Sequence, residues 1–185
     1  MENPWQSLKN DKEAALLQLY KNYYQELFNY GVRIARNEEL TRDSIHDLFV
    51  HLWSKDSFEG ISNPKPYLLK SLRYIIIDGL KEDSLMSGHI ELPDVALSTE
   101  DIQINSEINE ASSLKIKSAL TKLTNRQKEV VYLRFYNGLD YAEIAEITGI
   151  SNQSVRNLFS KAIRELRNQM LPIVVLSTLL HVLTN

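Results

Sequence analysis

The segment between residues 140 and 167 holds two helical patterns separated by Gly149, Ile150 and Ser151. Gly149 can adopt the positive φ that ends a helix with a sharp turn, and Ser151 is a favourable N-cap for the helix that follows. Ala145 is small and lies where two helices can cross closely. This spacing of glycine, cap and small residue predicts a helix-turn-helix, whose second helix typically enters the DNA major groove.

The second helix of this unit separates into two faces at about 100° per residue. The apolar face holds Val155, Leu158, Phe159, Ala162 and Leu166. The opposite face carries donor-rich side chains of the kinds that pair with base edges and phosphates. The predicted DNA-contacting residues are Ser151, Asn152, Gln153, Arg156, Asn157, Ser160, Lys161 and Arg164, with Arg167 farther along. The alternative is a structural helical hairpin with a solvated outer face.

Helical periodicity continues through most of the 185 residues, which include only 6 Gly and 5 Pro. Alternating runs typical of strands are missing, so the sequence predicts an all-α fold. Helices are predicted over about 9–34, 40–53, 66–83, 114–123, 125–136, 140–148 and 151–169. The segment Asn63-Pro64-Lys65-Pro66 breaks one helix and suits the start of the next.

Charge is distributed unevenly along the chain, although the net charge of −3 by itself argues against a free nucleic-acid binder. Residues 84–113 carry 6 acidic and no basic side chains, whereas residues 114–170 carry 10 basic and 5 acidic ones. A basic unit is a candidate footprint for phosphates, or simply a solvated helical surface. The sequence therefore predicts two small helical domains, 1–83 and 114–170, joined by an acidic linker, 84–113, and followed by an apolar tail, 171–185.

The tail is strongly apolar between Leu171 and Leu183, but it is shorter than the roughly 20 residues that a membrane span needs. We expect it to form a short helix or extension that covers apolar surface on this chain, on a partner or on a second copy. Neither a secretory leader nor a cysteine occurs, which excludes disulfides and thiol catalysis and fits a cytosolic protein.

A helix after Pro66 has a second polar face of interest. Its aromatic and cationic members are Tyr67, Lys70, Arg73, Tyr74 and Lys81. Rings interleaved with cations suit stacking on unpaired bases beside a phosphate track. The alternative is an ordinary amphipathic surface.

The helix over 40–54 is predicted to bury five residues, Ile45, Leu48, Phe49, Leu52 and Trp53. Asp43, Asp47 and His51 follow one another at intervals of four on its outer side. That spacing suits a metal ion, a docking surface for a basic partner, or a solvated acidic face. The His46-Asp47 pair is similar to a dipeptide of metal phosphohydrolases, but no companion histidine motif accompanies it, so we predict no metal, no cofactor and no catalytic site.

Taken in order, these motifs resemble those of the extracytoplasmic-function sigma factors of bacterial RNA polymerase, over nearly the whole chain. The C-terminal motifs are Ala119-Leu120, Leu123, Arg126-Gln127-Lys128-Glu129-Val130, Leu133-Arg134, Gly138-Leu139, Tyr141–Glu146, Gly149-Ile150-Ser151, Val155, Ala162 and Leu166-Arg167. The N-terminal motifs are Asp47-Leu48-Phe49, Trp53, Pro66-Tyr67-Leu68, Arg73 and Asp78. Departures include Tyr74 in place of a frequent Asn, and Thr124-Asn125 in place of a turn that often contains Pro.

The resemblance implies a transcription initiation factor whose first domain binds polymerase and opens the −10 promoter element, and whose second domain binds the −35 element. It places Asp43, Asp47, Phe49 and Trp53 on the polymerase-binding helix. It also implies −10 contacts by the segment from Phe58 to Asn63 and by the face that holds Tyr67, Lys70, Arg73, Tyr74 and Lys81.

The implied partners are core RNA polymerase, through its clamp helices and flap, promoter DNA, and an anti-sigma factor of the soluble or the membrane-bound kind. No small-molecule substrate is implied, and the implied location is the cytoplasm. Two alternatives stay open at this point, a stand-alone helix-turn-helix regulator and a helical metal-dependent hydrolase.

Overall fold

The computed structural model describes residues 11–55, 61, 63–87 and 118–183, and it describes the side chains of these residues except 82–87 and 169–183. The described helices are α1 (Lys12–Ala35), α2 (Glu38–Ser54), α3 (Pro64–Ser87), α4 (Asn125–Phe135), α5 (Tyr141–Thr148) and α6 (Asn152–Leu183), with a short helical stretch over 118–121. Among these residues no strand occurs. The predicted all-α fold is therefore confirmed.

Polar caps set the starts of the first three helices. Asp11 accepts from the N–H of Ala14 at 3.0 Å at the start of α1, and Asn37 accepts from the N–H of Glu39 at 2.9 Å at the start of α2. Asn63 accepts from the N–H of Lys65 at 3.2 Å, directly before the first residue of α3. These side chains satisfy backbone donors that have no partner inside the helix. The predicted helix start within the segment Asn63–Pro66 is therefore confirmed, with Pro64 as the first helical residue.

Helices α1, α2 and α3 pack against one another in pairs. Gly31 marks a close approach, because a Cβ built there would lie 2.5 Å from Cγ2 of Thr41 in α2 and 3.3 Å from Cδ1 of Ile76 in α3. The buried apolar residues of these helices are Ala15, Leu16, Leu19, Leu27, Tyr30, Ile34, Ile45, Leu48, Leu52, Leu68, Leu69, Leu72 and Ile76. They form the core that holds the outer faces of α2 and α3 in place.

Helix α4 begins with a capping box. Thr124 accepts from the N–H of Gln127 at 3.3 Å, and the Gln127 side chain accepts from the N–H of Thr124 at 2.9 Å. This reciprocal pair starts the helix without the proline that the resemblance led us to expect. Beyond it, a buried cluster of Leu120, Leu123, Val131 and Ala162, with Phe159 and Leu166 packed on it, joins α4 to α6.

By their contacts, the described residues group into two compact units, 11–87 with 142–150, and 118–141 with 151–183. The predicted domain boundaries stay a prediction, because most of the acidic segment 84–113 lies outside the described residues. We find no helix within the described part of the chain that has both the length and the apolarity to cross a membrane.

The predicted end of the last helix at Gln169 is wrong, since α6 continues to Leu183. No glycine interrupts this stretch, and Pro172 removes only one backbone donor, which a continuing helix can accommodate at an energetic cost. The surface that the tail covers stays a prediction, because its side chains lie outside the described residues.

Candidate nucleic-acid interface

The turn between α5 and α6 has the backbone that the sequence predicts. Gly149 has a φ of +72°, and its N–H donates to the carbonyl of Ala145 at 2.9 Å. Ser151 caps α6, because its Oγ accepts from the N–H of Ser154 at 3.1 Å. A residue with a Cβ is strained at this φ, so Gly149 fixes the point at which the chain leaves α5 and starts α6.

The polar face of α6 is open to solvent. All eight predicted contact residues are exposed: Ser151, Asn152, Gln153, Arg156, Asn157, Ser160, Lys161 and Arg164. On the opposite face, Val155 and Ala162 are 0% exposed, while Leu158 and Phe159 are half-buried. The predicted division of α6 into two faces is therefore confirmed, and contact with DNA stays a prediction.

The side chains nearest the start of α6 are paired along the helix. Arg156 donates from Nε to Oδ1 of Asn152 at 2.9 Å, and Gln153 donates from Nε2 to Oδ1 of Asn157 at 3.0 Å. Each pair joins residues four apart, which are neighbours on a helix surface. Four candidate base-reading side chains are thus held as two pairs rather than as four independent rotors.

Two guanidinium groups lie close to one aromatic ring beside this face, and the sequence analysis missed this contact. The ring of Tyr141 lies 5.1 Å from Cζ of Arg134 and 4.8 Å from Cζ of Arg156. The Tyr141 ring also meets the ring of Phe159 edge-on, with centroids 5.7 Å apart. A pocket of about 400 Å³ adjoins the ring and is lined by Tyr141, Phe159, Ser160, Ile163, Arg164 and Arg167.

The predicted −10 face of α3 is less uniform than the face of α6. Lys70, Tyr74 and Lys81 are exposed, and Tyr67 and Arg73 are half-buried. The hydroxyl of Tyr67 accepts from Nζ of Lys55 at 3.0 Å, and the same ammonium lies 5.0 Å from the Tyr67 ring centroid. Tyr74 is 69% exposed, so its ring is available for stacking.

Two further predicted −10 residues have different outcomes. Asn63 is exposed, and its side chain both caps α3 and donates to Oε1 of Glu143 at 2.9 Å within the first unit. Phe58 lies outside the described residues, so its predicted role is unexamined.

A groove of about 920 Å³ in the first unit brings predicted residues of α2 and α3 together. Its lining includes Asp47, His51, Tyr67, Lys70, Arg73, Tyr74 and Lys81. Lys70 forms an ion pair with Glu146 at 3.1 Å within the same unit. The groove therefore combines three cations and two tyrosines with carboxylates at its margin.

The predicted polymerase-binding residues of α2 differ in exposure, and one of them requires a correction. Asp43 and Asp47 are exposed, and Phe49 is half-buried. Trp53, which the sequence analysis placed in the core, is 55% exposed. Helix periodicity puts Trp53 near the apolar stripe, but in the structure the Lys12 ammonium of α1 lies 6.0 Å from its ring centroid and more than half of the side chain stays exposed.

An aromatic run on α1 continues this surface and was missed by the sequence analysis. Tyr20 is 40% exposed and packs edge-on against Phe49, with ring centroids 5.1 Å apart. Tyr24 follows at 5.0 Å from Tyr20, and Phe28 lies 6.0 Å from Tyr24. Desolvation and the nearby Glu26 carboxylate raise the pKa of the Tyr23 phenol on the same helix.

The metal-site alternative gains no support from the geometry. His46 Nδ1 lies 3.6 Å from Asp47 Oδ1, and both side chains are well exposed. Within the described ranges, no three His, Asp or Glu side chains are arranged to hold a metal ion.

One family model and several proteins of known function are similar to this chain. The family model described as sigma-70, region 4, matches residues 113–166. The chain is 25% identical over 162 residues to the ECF RNA polymerase sigma factor SigX of Bacillus subtilis, covering 82% of this chain and 81% of SigX. It is 28% identical over 165 residues to the RNA polymerase sigma factor YlaC of the same species, covering 82% of this chain and 90% of YlaC.

Among solved structures, the chain resembles the sigma factor RpoE, crystallised with the anti-sigma factor NepR from Bartonella quintana. The TM-score is 0.60 at 20% identity, and the match covers 83% of this chain and 95% of that one. The similarity to SigX and YlaC extends far beyond the helix-turn-helix, so a stand-alone regulator is not favoured. The comparisons therefore support an extracytoplasmic-function sigma factor of bacterial RNA polymerase, the family to which this chain is similar along most of its length.

Proposed function

We propose that this sigma factor directs core RNA polymerase to its promoters by reading the −35 element with the exposed face of α6 and the −10 element with the outer face of α3. The observation that carries the proposal is the solvent-open row of amide, guanidinium and hydroxyl groups on α6, within the segment that matches the sigma-70 region 4 model. Such groups are the ones that distinguish base pairs in the major groove.

The first two turns of α6 are proposed to contact base edges. A recognition helix presents its N-terminal residues most deeply to the groove, and here these include Asn152, Gln153, Arg156 and Asn157. Arginine pairs bidentately with guanine, and glutamine or asparagine with adenine. Lys161 and Arg164 lie farther along the same face and are proposed to hold phosphates, which position the helix without reading sequence.

The face of α3 is proposed to hold the unpaired strand of the −10 element. The exposed ring of Tyr74 can stack on a base, while Lys70 and Arg73 lie one turn and one residue before it, within reach of a phosphate track. Tyr67 is tied to Lys55, so we propose that it supports the face more than it grips the strand.

The outer side of α2 is proposed to bind core polymerase. Exposed Asp43 and Asp47 offer charge to a basic partner, and exposed Val50 and Trp53, at 53% and 55%, offer apolar area beside them. A mixed patch of this kind, which includes a large exposed aromatic, is typical of a protein interface.

The polymerase supplies what the chain lacks by itself. A net charge of −3 repels phosphates at long range, so we expect the free chain to bind duplex promoter DNA poorly and the holoenzyme to bind it well. The polymerase also performs the chemistry, so the chain needs no catalytic group. The chain acts where polymerase and chromosome are, in the cytoplasm.

An anti-sigma factor is a proposed further partner, as NepR is for the RpoE structure.

The test is in vitro transcription by the holoenzyme from a promoter library randomised across the −35 element. Arg156→Ala is expected to relax preference at one or two base pairs, by about 1–3 kcal/mol of discrimination. Arg164→Ala is the matched control, because losing a phosphate contact weakens binding about equally on all sequences and lowers the salt slope by nearly one unit.

Two results would contradict the proposal. Base preference that survives Arg156→Ala but changes with Arg164→Ala means that α6 meets DNA in another register. Tight, specific promoter binding by the free chain in a mobility-shift assay, with no gain from core polymerase, would restore the stand-alone regulator.

A further inference from the structure

Tyr141, the first residue of α5, lies close to two arginines of the second unit. Arg134 is anchored by its Nη1, which donates to the carbonyl of Leu139 at 2.7 Å. Its Cζ lies 5.1 Å from the Tyr141 ring centroid, and Cζ of Arg156 lies 4.8 Å from the same centroid. Both separations are within the range of an attractive cation–π contact, about 6 Å.

Arg156 is consequently fixed at two points although it is exposed. Its Nε donates to Asn152, and its guanidinium is close to the Tyr141 ring. The Nε bond leaves the two Nη groups, which are the pair that an arginine directs end-on at O6 and N7 of a guanine. A long side chain that is already ordered loses less conformational entropy on binding than a free one.

From this geometry we infer that Tyr141 is a positioning residue for base reading, which sets the direction of the Arg156 guanidinium before DNA arrives. The inference rests on the proposed function, namely that Arg156 reads the −35 element. It assigns specificity to a residue outside the recognition helix, at the end of a turn that Arg134 contacts through the Leu139 carbonyl.

The experiment uses the holoenzyme on the promoter library randomised across the −35 element. Tyr141→Leu is expected to flatten preference at the same base pairs as Arg156→Ala, by about two- to fivefold, which is the range for an exposed cation–π contact. Tyr141→Phe is expected to retain the parental preference, since the ring face persists without the hydroxyl.

Phe135→Leu is the matched control for packing. Phe135 also contacts the ring of Phe159, at 5.7 Å between centroids, but no described guanidinium lies over it. The Phe135→Leu variant should leave base preference unchanged even if it lowers the melting temperature. The double variant Tyr141→Leu with Arg156→Ala should lose no more preference than Arg156→Ala alone, because residues that act as a unit are not additive.

These experiments distinguish the recognition role of Arg156 from the positioning role of Tyr141. If Arg156→Ala leaves base preference intact, the proposed recognition role fails, and this inference fails with it. If Arg156→Ala flattens preference while Tyr141→Leu does not, only the positioning role is overturned. The positioning role is also overturned if Phe135→Leu flattens preference equally, or if Tyr141→Phe loses as much as Tyr141→Leu.

Discussion

The two faces proposed to touch DNA, on α6 and on α3, hold their side chains in different ways. On α6 every proposed contact residue is exposed, and the first turns are organised by bonds between residues four apart, Asn152 with Arg156 and Gln153 with Asn157. On α3 the members differ in exposure, and their partners come from elsewhere in the chain. Lys55 binds Tyr67, and Glu146 pairs with Lys70.

This difference corresponds to two kinds of nucleic acid. Reading a duplex requires a row of donors that project together into one groove, and a single regular helix provides that. Holding an unpaired strand requires an exposed ring with cations beside it, and the groove around Tyr74 provides that from several elements. Which residues share the α6 face is therefore decided within one helix, while the α3 face depends on the packing of its unit.

The largest expected effect separates the core of the first unit from its outer face. Leu72 is 0% exposed, and Tyr74, two residues later on α3, is 69% exposed. Leu72→Ala should lower the free energy of unfolding by about 2–5 kcal/mol, whereas Tyr74→Ala should change it by about 0.5 kcal/mol or less. Chemical denaturation measures both, and equal losses would show that Tyr74 belongs to the core.

A second prediction concerns Trp53 on α2, the residue whose burial the sequence analysis misjudged. Trp53→Ala should spare the fold yet weaken binding to core polymerase by about 2 kcal/mol, the scale of an exposed aromatic anchor at an interface. Titration of labelled protein with core polymerase measures the affinity. Leu17, equally apolar and 53% exposed on α1, provides the control, and an equal loss for Leu17→Ala would mean that general apolarity, and not this site, governs binding.

A third prediction tests whether the two faces are independent. Tyr74→Ala should weaken holoenzyme binding to a single-stranded −10 oligonucleotide by about 1–3 kcal/mol, the value of one base stacked on an aromatic ring. Tyr74→Phe should bind normally, because stacking needs the ring only. Preference across a randomised −35 element should be unchanged in both, and a shift there would show that the faces are coupled.

The smallest expected effect concerns the start of α4, in the unit that carries α6. Thr124→Ala removes the capping box and should cost about 1 kcal/mol of stability. Thr121→Ala is the control, since its hydroxyl donates to the Ser118 carbonyl at 2.8 Å and caps no helix start. Thermal unfolding reports both, and single-strand binding by α3 should not respond to either.

Most of the helical structure could be predicted from local sequence. The all-α fold, the turn at Gly149, the cap at Ser151 and the outward row on α6 are decided within a few residues of each position, because helix periodicity and capping are short-range effects. The prediction was wrong at Trp53, which was expected in the core and is exposed, because exposure depends on how neighbouring helices pack. It was also wrong at Gln169, where the chain offers no strong stop signal.

The sequence alone therefore determined which side chains share the outer face of α6, since a helix of fixed pitch leaves no choice in the matter. Only the tertiary structure decided that one of them, Arg156, is also contacted from outside α6. The ring of Tyr141 meets Arg134 and Arg156, residues that come from three different helices and have no periodic relation. Their meeting depends on turn geometry and packing, which no pattern along the chain records.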